Sequence, residues 1–182
     1  MVKLGIPVRI VFLAATVFLI QGCASSDHLK LSYSSEFSLA VPLSALSDAT
    51  IFSTEELSLK TGDGYLVSGR VISNASEGLS DNVSMTDYPA FLFGLRPLES
   101  LEPEDARLFE NSASEIRHTY GDRKPNQETT GEFTAYTICG NGACLGYVVK
   151  TDFDDHILMV HALGATREEF TSLINGGLNA ER

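Results

Sequence analysis

Cys139 and Cys144 bracket Gly140-Asn141-Gly142-Ala143, and they are the first residues to test for chemistry. A thiol redox motif places two residues between its cysteines and sets one at a helix N-terminus, which lowers the thiol pKa. Here four residues intervene, and their types describe a β-turn. Zinc would need two further ligands, and the sequence holds no second cysteine pair. A structural disulfide fits instead. Phe133, Ala135, Thr137 and Cys139 alternate with Thr134, Tyr136 and Ile138 before the turn. Cys144, Gly146, Val148 and Lys150 alternate with Leu145, Tyr147 and Val149 after it. This pattern predicts a hairpin with the two cysteines at its tip. The loop they close is short, so the entropic gain is small, about 2 kcal/mol. The expected task of the bridge is to hold the turn.

Asp152, Asp154, Asp155 and His156 form the other dense group of potential ligands. A calcium loop needs more oxygen donors at ordered positions and a closing bidentate glutamate, so the group reads as a solvated turn. His156 and His161 are five apart on an expected strand and point to opposite faces. The sequence has no Gly-x-Ser-x-Gly elbow, no phosphate-binding glycine loop and no His-Glu-x-x-His helix. No serine has a recognisable base beside it, and only carboxylates that meet after folding stay open as a catalytic pair. The expectation is a protein that is not an enzyme and needs no cofactor or metal.

The N-terminal stretch sets the context of the rest. Lys3 and Arg9 precede an apolar run from Ile10 to Ile20, broken only by Thr16. That run is shorter than the roughly 20 apolar residues that span a bilayer and suits an export signal. It closes on Ile20-Gln21-Gly22-Cys23, which resembles a bacterial lipobox. The resemblance implies cleavage before Cys23, which would then carry acyl chains such as palmitate and hold the protein to a membrane. Ala24 after the cysteine resembles the pattern of lipoproteins sorted to the outer membrane, here facing the periplasm. The expected organisation is a signal over residues 1–22, a lipidated cysteine and tether over 23–32, and one domain over 33–182. Removing the signal from 182 residues leaves 160, enough for one domain with a real core. The formal charge of −11 becomes −13, because two of the 13 Lys and Arg leave with the signal while all 24 Asp and Glu stay. Such a surface repels nucleic acid and anionic headgroups. An oxidising compartment also lets Cys139 and Cys144 join.

Along the domain, a first strand is expected near Glu36–Val41, stopped by Pro42, followed by a helical turn or loop over 43–50. Residues 56–72 predict a hairpin around Thr61-Gly62-Asp63-Gly64, with Arg70 facing solvent. Residues 73–84 read as an exposed loop. Tyr88, Phe91, Leu92 and Leu95 form one stripe of a short helix with Pro89 in its first turn. Pro103-Glu104-Asp105 opens a second helix over 102–119. Its apolar face carries Ala106, Phe109, Ala113 and Ile116, and Gly121 ends it. Arg117 and His118 suit its C-terminal dipole. Residues 121–131 read as a polar loop holding the adjacent basic pair Arg123-Lys124. After the Cys hairpin, a third strand begins at Ile157. Thr166 with Glu169 signals a capping box for a last helix, ended by Gly176-Gly177. Together these elements predict an α+β single domain, an antiparallel sheet with helices packed on one face.

Phe37-Ser38-Leu39-Ala40-Val41-Pro42 and the stretch from Val160 to Phe170 are similar in outline to the two ends of PsbP/Mog1-like domains. That resemblance implies an α+β sandwich and a role in binding or assembly, with no catalytic residue to carry over. The expected function is that of a membrane-tethered periplasmic protein-binding lipoprotein, such as an accessory or assembly factor of an envelope machine. An immunity protein against a periplasmic toxin and a carrier of a small apolar ligand stand as alternatives. The immunity role would use acidic complementarity to a basic cleft. The carrier would need a hollow between sheet and helices.

Overall fold

The chain is rich in strands, and a computed structural model describes it over residues 27–53, 56–62 and 64–179. The signal, Cys23 and the lipobox lie outside the described residues. In chain order the elements are β1 (His28–Ser32), β2 (Ser38–Pro42), a 3-10 turn over Leu43–Leu46, β3 (Thr50–Ser53), β4 (Leu57–Lys60) and β5 (Leu66–Ser73). Helices α1 (Asn74–Glu77), α2 (Tyr88–Leu92) and α3 (Pro103–Tyr120) follow, then β6 (Asn126–Thr130), β7 (Phe133–Gly140), β8 (Ala143–Lys150), β9 (His156–Leu163) and α4 (Arg167–Asn179). A seven-stranded sheet runs in the order β3-β4-β5-β9-β8-β7-β6, with every neighbouring pair antiparallel. The β1–β2 hairpin forms a separate two-stranded sheet. The α+β class and the antiparallel sheet agree with the sequence.

The hairpin tip explains itself residue by residue. Asn141 and Gly142 both have positive φ, 54° and 78°, as a two-residue turn matched to strand twist requires. Cys139 and Cys144 sit directly opposite each other and are joined by a disulfide. The tip also docks on the end of α3. Asn141 Nδ2 donates to the Thr119 carbonyl at 2.8 Å, satisfying an orphan acceptor of the last helical turn. Gly140 makes room for that contact, since a Cβ there would lie 1.9 Å from the Tyr120 carbonyl oxygen.

The helices occupy both faces of the sheet, not the single face expected. Strands β7 and β8 are apolar on both sides, and each side needs a cover. On one face Val67, Ala135, Val148, Leu158 and Val160 pack against Phe37, which precedes β2, Leu39 of β2, and Phe170 and Ile174 of α4. Leu31 of β1 and Val41 join Leu59 beside them. On the other face Tyr136, Ile138, Leu145, Tyr147 and Met159 meet Tyr88, Phe91 and Leu92 of α2 and Phe109 of α3.

Other differences have local causes. The tether expected through residue 32 is already strand β1 from His28, paired with β2 from His28↔Pro42 to Ser32↔Ser38. Residues 73–84 are not a free loop. Asn74 Nδ2 donates to the carbonyls of Ser80 (2.6 Å) and Val83 (2.7 Å). Buried Asp105 accepts from the Ser80 amide at 3.0 Å and the Ser80 hydroxyl at 2.6 Å. The polar stretch 121–131 contains edge strand β6, exposed along most of its length. Thr166 and Glu169 form the expected capping box, with Glu169 Oε2 accepting from the Thr166 amide at 2.8 Å and Thr166 Oγ1 from the Glu169 amide at 3.2 Å. Helix α4 nevertheless runs past Gly176-Gly177 to Asn179. Gly177 is there for close approach: a Cβ would come within 3.0 Å of Leu39 Cα and 3.1 Å of the Ala40 nitrogen.

Candidate functional site

Strand register brings the most distinctive polar residues into one row. Phe52 of β3 opposes Ser58 of β4, Ser58 opposes Ser68 of β5, and Ser68 opposes His161 of β9. His161 in turn opposes Leu145. Directly opposed residues share a face, so all five project on the side that α2 and α3 cover only in part. Ile116 and Tyr120 of α3 pack in the cluster that contains Leu145 and Ile138. Toward β3 the row runs out into solvent at Phe52, 43% exposed. In the neighbouring row Leu66 opposes Leu163, which is 55% exposed. Between Phe52 and the edge of α3 the floor is made of small residues. Ser58 Oγ donates to Ser68 Oγ at 3.0 Å, and both serines are buried.

A polar chain enters this face from the core. The Tyr88 hydroxyl donates to Glu77 Oε2 at 3.3 Å. Glu77 Oε1 accepts from Arg70 Nη2 at 3.4 Å, and Arg70 Nε lies 3.6 Å from Glu56 Oε1. Arg70, expected to face solvent, is thus half-buried between two carboxylates. The rings of Tyr88 and Tyr147 meet edge to face at 5.5 Å. A cleft of about 250 Å³ opens beside them between α3 and the sheet, lined by Tyr120, Glu115 and His161 as well as the tyrosine pair and Glu77.

The electrostatics suit recognition. Burial, then neighbouring negative groups, push the Tyr147 and Tyr88 phenols well above their ordinary value, so both stay protonated as donors. Burial lowers the His161 pKa, Glu56 opposes that and Arg70 adds to it, so the imidazole is neutral at pH 7 and offers one donor and one acceptor. The Ser58 hydroxyl spends its proton on Ser68, an arrangement that differs from a nucleophile held by its base.

The residues singled out from sequence lie elsewhere. The Cys139–Cys144 bridge is buried at the hairpin tip. His156 faces the opposite side from His161, its ring 5.7 Å from that of Phe37 and 5.6 Å from that of Phe153. Its Nδ1 lies 2.6 Å from Asp155 Oδ1 and its Nε2 3.6 Å from Glu36 Oε2. The Asp154 carbonyl accepts from the Met85 amide at 2.8 Å, so this turn anchors the segment before α2. Among the described residues no group of three His, Cys, Asp or Glu is placed to hold a metal ion. Sequence reasoning passed over Glu77, Ser58 and Ser68, and gave Tyr147 only as part of a strand pattern. Tyr88 carried a signal in an aromatic helical stripe, His161 as one of two histidines on an expected strand, and Arg70 as a sheet residue expected to face solvent. Neither a scan against protein-family models nor a search of curated proteins returns a match to this chain.

Proposed function

We propose that this chain is a lipid-anchored protein of the bacterial envelope that faces the periplasm from the outer membrane. In this reading its domain binds a protein partner as an accessory or assembly factor. The observation that carries the proposal is the exposed edge strand β3. Strand β3 is exposed at all four residues and lies at the sheet edge, where its outer backbone groups can pair with an added strand. Ile51 (49% exposed) and Phe52 flank that edge on opposite faces, and Leu163 of β9 is a second exposed apolar residue on the Phe52 side. The formal charge, −11 for the full chain and −13 once the two basic residues of the signal leave, favours a basic partner. The disulfide supports an oxidising compartment, and the outline similarity to PsbP/Mog1-like domains supports a binding role.

Co-purification of the detergent-solubilised chain from its own envelope tests the proposal. The expected result is one stoichiometric protein partner that is lost on combining Phe52→Asp with Leu163→Asp. Equal recovery with the double variant, or no stoichiometric partner at all, overturns it. Intact mass of the native protein tests the anchor: an uncleaved, unacylated N-terminus contradicts it.

A further inference from the structure

A second cavity lies on the other flank of α3, between that helix and the chain leaving α2. Its volume is about 240 Å³. Phe91, Leu92 and Ile138, all buried, form its apolar floor. Ala113 is the small residue on α3 that leaves the space open. Glu110, Arg117, Asp122 and Arg123 line the same cavity and are exposed. Among the described residues none of these four side chains makes an ion pair or hydrogen bond. Two cations and two anions therefore surround one apolar hollow without neutralising each other.

That combination narrows the ligand. Pockets for drug-sized molecules run from about 300 to 1,000 Å³, so this one takes a single ring or a short branched chain. A simple anion would be drawn by the arginines and repelled by Glu110 and Asp122, and a simple cation would meet the reverse. A small zwitterion satisfies both signs. Its carboxylate meets the guanidinium forks, its ammonium meets the carboxylates, and its apolar side chain displaces water from the floor. We propose that this cavity binds a small apolar zwitterion of the α-amino acid class, with Arg117 and Arg123 reading the carboxylate and Glu110 and Asp122 the ammonium. This cavity and the cleft beside Tyr88 and Tyr147 lie on opposite flanks of α3 and share only Ile116 among their lining residues, and none of the four charged groups lines both.

Calorimetric or NMR titration of the full chain in detergent with L-phenylalanine and L-leucine tests it. Saturable binding is expected for at least one of the two. Affinity should drop roughly tenfold or more, the scale of one charge-assisted contact, for the analogues phenylpropionate and phenethylamine, which lack the ammonium and the carboxylate. Arg117→Gln should weaken binding to a similar extent. Ala113→Leu, a substitution that suits a helix, should abolish binding while the circular dichroism spectrum and unfolding midpoint stay near those of the parent. Three results each overturn the proposal: no saturable binding of either amino acid, equal binding of phenylpropionate, or binding that survives Ala113→Leu.

Discussion

The two faces of the seven-stranded sheet are built from the same strands and finished differently. On the α4 side, Phe37, Leu39, Phe170 and Ile174 close over Val67, Val148, Leu158 and Val160, all within 1% of complete burial. On the α2–α3 side the cover stops partway. Tyrosines replace aliphatics, and a polar chain from Tyr88 through Glu77 and Arg70 to Glu56 leads out toward the Ser58–Ser68–His161 row. A closed apolar face maximises area removed from water. The open face gives up part of that area and holds its polar groups in a defined geometry, with ion pairs that are half exposed and worth about 1 kcal/mol or less. The difference separates the residues that hold the fold from those available for recognition.

Substitutions can break that contrast, and the closed face should respond most. Phe170 is buried and its ring lies against Gly146, where an added Cβ would meet it at 3.1 Å. Phe170→Ala should cost about 3–5 kcal/mol, read as a lower midpoint in chemical denaturation. The paired replacement of Cys139 and Cys144 by serine should cost about 2 kcal/mol, measured the same way under oxidising conditions, with the strands still formed. On the half-covered face Tyr88→Phe removes the hydroxyl that donates to Glu77, and a loss of about 1 kcal/mol is expected.

A pH series sharpens the comparison further. Burial holds His161 below its ordinary value of 6.5, so the folded state prefers the neutral ring and the unfolded chain binds the proton more readily. The stability this contributes is fully present above pH 6.5 and is lost as pH falls from there through the lowered folded value. Denaturation of the parent and His161→Asn between pH 7.5 and 5.5 should show the steeper decline in the parent. Phe52→Asp should have the smallest effect on stability, within about 0.5 kcal/mol, because nearly half of that side chain is already in water.

What was legible in the sequence follows the same division. The Phe133–Lys150 hairpin, helix α3 and the Thr166–Glu169 cap rest on local patterns, and local patterns survive in a linear string. Strands β3 and β6 were missed because these edge strands carry little apolar alternation: Gln127, Glu128 and Thr129 of β6 resemble a loop until β7 pairs with them. Strand β1 alternates Leu29 and Leu31 with polar residues, but it is short and reads as a tether until β2 pairs with it. Gly176-Gly177 reads as a helix stop, and its true reason lies in Leu39 and Ala40, more than 130 residues earlier. The candidate site was hidden for the same cause. Ser58, Ser68 and His161 become neighbours only through the β4–β5 and β5–β9 registers. Arg70 looks solvent-facing until Glu77 folds back on α1 to meet it.

The central claim is that the uncovered face, and not the α4 side, meets a partner. Site-specific photo-crosslinking in intact cells tests it most directly, with the reactive group placed at Phe52 or Leu163 and, as the control on the closed side, at exposed Glu168 of α4. One protein adduct of defined mass from Phe52 and Leu163, with none from Glu168, is the result expected. Adducts from Glu168 alone, or equal adducts from all three positions, would contradict it.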